Sequence, residues 1–254
     1  MNTKAKNPIQ TTEKTLKIIE ALFSLGESGV TELASHLNLN KGTIHHHLST
    51  LEQHGYVTKS SSTYKLSMRF FEIGELTRRR HKIYEVGMPE IDSLAKKTGE
   101  IANLMIEENG LGIYIYIAGG DQAVKLDTKI GTRQYLHTSA LGKTILSRME
   151  DDRLDEIINK HGLPAETENT VTDINKLNEQ LEEIRKRGIA FDGEERAEGI
   201  RCVAAPVTNN NGSLIGAVSV SGPSTRLKND RLKTEIPELV QDTATVIGIN
   251  ASYS

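Results

Sequence analysis

The stretch that most limits what this chain can become is residues 30–56, "VTELASHLNLNKGTIHHHLSTLEQHGY". Leu33, Ala34 and Leu37 share one side of a short helix, and "NLN" at 38–40 is a tight polar turn. A second helix follows from about Lys41 to His54, with Ile44, Leu48 and Leu51 within about 60° of one another on a helical wheel. Upstream, Leu16, Ile19, Leu22 and Phe23 follow helical spacing between Thr11 and Leu25, and Gly26 closes that segment. Downstream of Gly55, "YVTKSSSTYKL" reads as two short β-runs around a serine-rich turn, with Lys59 and Lys65 beside it. Helix, short helix, turn, helix and hairpin make a winged helix-turn-helix. Its third helix can lie in the major groove while the wing meets the backbone.

The three consecutive histidines of the third helix invite a metal reading. Successive helical residues are about 100° apart, so three in a row cannot converge on one ion. Ligand pairs on a helix sit three or four apart, and the chain has one cysteine, so no thiolate cluster is available. With Ile44, Leu48 and Leu51 facing inward, His46 points away from the core beside Gly42, Thr43, Ser49 and Thr50, and His45 and His47 take the shoulders. Small polar side chains and hydrogen-bonding rings suit base edges and phosphates. The residues assigned to DNA are therefore Lys41, Gly42, Thr43, His45, His46, Thr50, Lys59 and Lys65. No metal-ligating or catalytic residue is assigned, and no cofactor is expected.

Charge supports this division. Residues 1–80 hold 11 Lys and Arg against 7 Asp and Glu, while the whole chain carries a net −3. A basic front and an acidic remainder suit a first domain that meets a polyanion. No apolar run approaches the roughly 18 residues of a membrane span. The lone Cys202 excludes an internal disulfide and fits a reducing, cytoplasmic setting.

Residues 67–80, "SMRFFEIGELTRRR", start an amphipathic helix that ends in three arginines. Beyond it, "IANLMIEENGLGIYIYIAGG" contains two strand-like runs around Asn109-Gly110, a hairpin signal. Helical periodicity occupies 139–160 and 173–187. Strands are expected at 188–192, 201–207 and 214–221, the last two joined at Asn211-Gly212, with a C-terminal helix over about 230–250. Strands and helices segregated in this way predict an α+β domain around an antiparallel sheet.

"VTELASHLNLNKGTIHHHLSTLEQHGYV" closely resembles the DNA-binding domain of the IclR family of transcription regulators. "LHTSALGKTILSRM" (136–149), "GIAFDGEERAEGIRCVAAPV" (188–207) and "GSLIGAVSVSGPSTRL" (212–227) resemble that family's effector-domain motifs in order. The resemblance implies a winged helix-turn-helix over 1–66 and a linker helix over 67–82 that joins domains and pairs protomers. It also implies a GAF/profilin-like effector-binding domain over 83–254. Two positions depart from the family pattern: His46 stands where arginine is usual, and Gly42 where serine is frequent.

Three features of the second domain are candidates to line an effector cleft. Thr138 or Ser139 can cap a helix whose first N–H groups, near Ala140, Leu141 and Gly142, attract an anion. Asp192 lies at a strand end in an acidic cluster with Glu194 and Glu195. Ser219 and Ser221, at i and i+2, share one strand face with Cys202 nearby. By motif matching, Ala140, Leu141, Asp192, Cys202, Ser219 and Ser221 fall where the family binds its effector.

The chain thus reads as a one-component regulator, not an enzyme. Its operator binding, on a palindromic double-stranded site, responds to a small organic acid. Two-fold symmetry implies a homodimer or a dimer of dimers. Two other readings compete: a metal-responsive regulator using the N-terminal histidines, and an enzyme fused to a DNA-binding domain. The enzyme would use Cys202 as nucleophile with His137 or His161 as base.

Overall fold

The computed structural model describes residues 6–253, and contacts divide the chain between Arg80 and His81 into two compact units.

The first unit holds helices α1 (Gln10–Leu25), α2 (Val30–Leu37) and α3 (Lys41–Gln53), then a hairpin of β2 (Val57–Ser60) and β3 (Thr63–Leu66). The turn between α2 and α3 is built by two asparagines. Asn38 ends α2 in the left-handed region at φ 52°, and the Asn40 side chain caps α3 by accepting from Thr43 N–H at 2.7 Å. Ile44, Leu48 and Leu51 are the buried stripe of α3, as their spacing predicts. In α1 the buried residues are Ile18, Ala21 and Leu22, whereas Leu16 and Phe23 stand out in solvent, Phe23 at 80% exposure. The expected stripe of α1 is therefore corrected by about one position. Apolar residues lie on both sides of this helix, and spacing alone does not say which side is inside.

A two-residue strand that the sequence does not announce, β1 (Ser28–Gly29), adds to the wing and makes an antiparallel sheet in the order β1-β3-β2. Helix α4 (Arg69–Arg79) closes this unit, with Phe70 edge-on to Tyr56. The expected linker, 67–82, consists of this helix, a break at Arg80-His81 and the first residue of α5.

The second unit is an antiparallel sheet of six strands in the order β6-β5-β4-β9-β8-β7. The strands are β4 (Ile101–Glu108), β5 (Leu111–Gly119), β6 (Arg133–Tyr135), β7 (Ala190–Gly193), β8 (Ile200–Thr208) and β9 (Leu214–Pro223). Asn109 and Gly110 make the β4–β5 turn with φ of 57° and 86°, as the hairpin signal requires. The β8–β9 connection is longer than a two-residue turn. Asn209 closes it by accepting from Asn211 N–H and Ser213 N–H. Helices α5 (Lys82–Thr98) and α9 (Ile236–Tyr253) cover one face through Ile91, Leu94, Val240 and Ile247. Helices α6 (Ala140–Leu146), α7 (Asp151–His161) and α8 (Ile174–Arg187) cover the other through Leu141, Ile145, Leu154 and Leu181. The periodicity over 139–160 is thus two helices, broken where Glu150 turns extended before the acidic first turn of α7.

Glu100, fully buried before β4, receives two hydrogen bonds from Arg226, at 2.8 and 2.7 Å. Arg226 also donates to the carbonyl of Gln122 at 2.7 Å. That contact anchors the base of the segment leading to Lys125–Thr128, which roofs the cleft described next.

Candidate DNA-binding face and effector cleft

In α3, Lys41, Gly42, His45, His46 and Thr50 are exposed and Thr43 is half-buried. These six form the outward surface of a helix whose other side is fixed in the core. The Thr50 hydroxyl donates to the His46 carbonyl at 3.0 Å, leaving its lone pairs outward. His47 does something else: its Nδ1 bonds the Thr15 hydroxyl at 2.8 Å and ties α3 to α1. Burial, then the nearby Lys14 charge, holds its pKa below the usual histidine value. Among the described residues, no group of three or more His, Cys, Asp or Glu is arranged to hold a metal.

Register separates the two wing lysines. Lys59 pairs with Tyr64 and Lys65 with Thr58, so adjacent pairs project from opposite faces of the hairpin. Lys59 lies 5.4 Å from the centre of the Tyr64 ring. It faces a cleft of about 1000 Å³ lined also by Thr31, Ser35, His36 and His45. Lys65 is exposed on the other face. The cleft gathers hydroxyl, imidazole and ammonium donors, with Glu32 as its one carboxylate, between α2, α3 and the wing; donors of this kind suit a phosphodiester backbone. Thr31 and Ser35 stand one turn apart on α2, with His36 next to Ser35, and this spacing is the local signal for that wall.

In the second unit a cleft of about 270 Å³ opens on the face that carries α6. Cys202, Ser219 and Ser221 line it. Asp192 pairs with Cys202, Cys202 with Ser221, and Asn103 with Ser219, so a polar stripe crosses four neighbouring strands on one face. Asn103 Nδ2 donates to Ser219 Oγ and Ser221 Oγ at 3.1 and 3.2 Å, and Cys202 Sγ lies 2.9 Å from Ser221 Oγ. Asn103 and Tyr114 join the wall, and Arg196 and Lys125 bring cationic groups to it, with Asp127 as the acidic one. The Tyr114 hydroxyl donates to Gln134 Oε1 at 2.7 Å, and Arg196 Nε reaches the same oxygen at 3.4 Å. Arg196 also lies 3.6 Å from Glu166.

Of the α6 residues, only Leu141 lines the cleft, together with the capping Ser139. Ala140 is fully buried, and the Gly142 N–H is occupied by Ser139 Oγ at 3.2 Å. Gly142 packs on the backbone of Leu136, where a Cβ would meet the Leu136 carbonyl oxygen at 2.0 Å. The Ser139 cap thus takes the Gly142 N–H of the first turn of α6, and Arg196 and Lys125 bring positive charge to the cleft.

Asp192 is buried and is not on the cleft wall. Its Oδ1 accepts from Glu195 N–H at 2.7 Å, while Oδ2 has no partner. Burial raises its carboxyl to about 6, with the Glu195 charge adding to the rise. Glu195 is itself held by buried Lys143, whose ammonium donates to Glu195 Oε1 at 2.5 Å and to Gln180 Oε1 at 3.0 Å. Glu195 is buried because the turn after β7 carries it onto Lys143.

The cysteine–histidine pair of the enzyme reading is not assembled. His137 Nε2 bonds the Pro164 carbonyl and His161 Nε2 the Asn109 carbonyl, both at 2.9 Å. Burial pushes the Cys202 thiol up, away from the thiolate a nucleophile needs.

Residues 11–61 match the IclR helix-turn-helix domain, and residues 75–249 match the bacterial transcriptional regulator IclR C-terminal domain. The chain is 34% identical to the probable HTH-type transcriptional regulator ArcR of Halobacterium salinarum over 92% of its length and 90% of the relative's. It is 29% identical to the HTH-type transcriptional regulator KdgR of Escherichia coli, covering 98% and 95%. Among solved structures, the Thermotoga maritima IclR superposes with a TM-score of 0.82 at 28% identity, covering 96% of this chain and 99% of that one.

Proposed function

The chain belongs to the IclR family of bacterial transcriptional regulators, and from that premise we propose that a small organic acid in the second-unit cleft sets its grip on a palindromic operator. The observation that carries this reading is the cleft's chemistry. Two cations, Arg196 and Lys125, against one carboxylate, Asp127, stand at a wall otherwise made of hydroxyl, thiol, amide and apolar groups, a set that suits a carboxylate at one end and a hydroxyl or keto group at the other. Asn103, Ser219 and Ser221 form a fixed polar network for that second end. The carboxylate sits with Arg196, and Asp192 acts from beneath the cleft floor by holding the turn that carries Arg196.

Base contacts come from His46, His45 and Thr43, and backbone contacts from Lys41, Lys59 and Lys65. The partner is double-stranded DNA, and the assembly is a homodimer or a dimer of dimers in the cytoplasm. Exposed Leu16 and Phe23 on α1 and Phe71 and Leu76 on α4 are the apolar surface such pairing would cover. Among the described residues, no helix is long and apolar enough to cross a membrane.

The test has two arms. Sequencing of DNA bound by the purified protein yields a two-fold symmetric site if the reader is paired. A thermal-shift screen of hydroxy, keto and aromatic acids finds the effector class, because a ligand at a hundred times its Kd stabilises the unit by about 2.7 kcal/mol. Arg196→Gln abolishes the response to acids. Responses confined to uncharged or cationic compounds reject the organic-acid reading.

A further inference from the structure

We propose a second ligand site in the sensor unit: a pocket at the opposite end of the central strands from the cleft, which takes a small amphipathic carboxylate on Arg148. This site is independent of the effector reading.

The effector cleft uses the first residues of β4 and the last of β9 (Asn103, Ser219, Ser221). The second pocket uses the other ends of the same strands, Ile106 and Glu107 of β4 and Leu214–Gly216 of β9. Its volume is about 360 Å³, within the usual range of small-molecule sites. Ile106, Ile145, Met149 and Leu214 supply an apolar floor, and the rim carries Arg148, Arg153, His81 and Glu107.

The two arginines differ. Arg153 is engaged, with Glu107 at 3.1 Å and Glu156 at 2.9 Å, and Glu107 also accepts from Gly110 N–H. Arg148 has no carboxylate partner among the described residues, although it lines a pocket where one would fit. A guanidinium beside an apolar floor, with the one rim carboxylate already neutralised, selects a ligand with an acid head and a short hydrocarbon body.

The position gives such a ligand something to act on. Helix α6 starts at the effector cleft with Leu141 and reaches this pocket with Ile145, so one rigid element borders both. His81 on the rim is the first residue of the sensor unit after the boundary with the DNA-binding unit.

The probe is hexanoate, titrated into the full chain labelled with ¹³C at the methionine methyls, with hexanol as the uncharged control. The Met149 signal, assigned by its loss in Met149→Leu, is expected to shift saturably with hexanoate and not with hexanol. Arg148→Gln weakens that binding at least tenfold and leaves the other methyl signals in place, and Arg196→Gln does not weaken it. Equal titrations of wild type and Arg148→Gln overturn the proposal, as does an unmoved Met149 signal. Loss of the Met149 shift in Arg196→Gln alone also overturns it, because the acid is then acting from the effector cleft.

Discussion

Replacing Asp192 by asparagine separates the cost of a buried charge from everything else the side chain does. Asp192 is almost fully buried, accepts one backbone hydrogen bond and leaves its second oxygen unpartnered. Its carboxyl rises from 3.8 to about 6, mainly through burial. At about 1.4 kcal/mol per factor of ten in proton affinity, the ionised form lowers stability by about 3 kcal/mol. The folded state binds this proton more tightly than the unfolded state. Stability from this group is therefore complete below pH 3.8, falls as pH rises, and is lost above about pH 6. Asparagine keeps an acceptor for Glu195 N–H and carries no charge. The buried amide sets a constant offset between the two proteins, and the ionisation sets how their difference changes with pH. Urea unfolding followed by circular dichroism suits a chain without tryptophan, run for both proteins from pH 4 to pH 8. Wild type is expected to lose about 2.4 kcal/mol relative to Asp192→Asn across that range, because the unfolded carboxyl is already partly ionised at pH 4, with most of the change complete by about pH 7. A difference that stays constant from pH 4 to pH 8 refutes the buried-charge argument.

His46→Ala is expected to reduce discrimination between operator and random DNA by about 1–3 kcal/mol in competition binding. Lys59→Ala instead weakens both and flattens the dependence of affinity on salt, which a titration from low to moderate salt measures. Gly142→Ala forces a Cβ onto the Leu136 carbonyl, so a loss of about 3 kcal/mol, the upper end for overpacking, is expected in urea melts of the sensor unit. Arg226→Ala strips fully buried Glu100 of its two-bond partner and leaves it only Arg231 at 3.6 Å, so a cost of about 3 kcal/mol is expected, the lower end for breaking a buried pair; Glu100→Gln in the same background recovers part of it.

Features coded by local signals were legible in both units. The α3 stripe and the asparagine turn of the first unit, and the hairpin at Asn109-Gly110 of the second, are each written within a few residues, and each stands where its spacing requires. The exposed side of α1 was not legible, because Leu16 and Phe23 are as apolar as the buried Ile18 and Leu22. The candidate cleft of the second unit was legible in part. Ser219 and Ser221 share a strand, so their common face is a local fact. Asn103, Tyr114, Lys125 and Arg196 reach the same wall from four separate segments, and only strand order brings them together. Lys143 and Glu195 lie 52 residues apart, and nothing near either one marks it as buried.

Strand order also sets the sequence in which the two units can form on a growing chain. Every pairing in the wing lies within residues 28–66, so the DNA reader can complete its core soon after that segment emerges. In the sensor, β4 must pair with β9, and Ile101 waits for Ser221. Until then β4 presents an open, apolar edge through more than a third of the chain's synthesis, and long-range closures of this kind are slow. The nascent protein therefore holds a finished reader tethered to an unfinished sensor. Truncations or pauses between β5 and β9 leave a chain able to fold its DNA-binding unit and prone to aggregate through that edge.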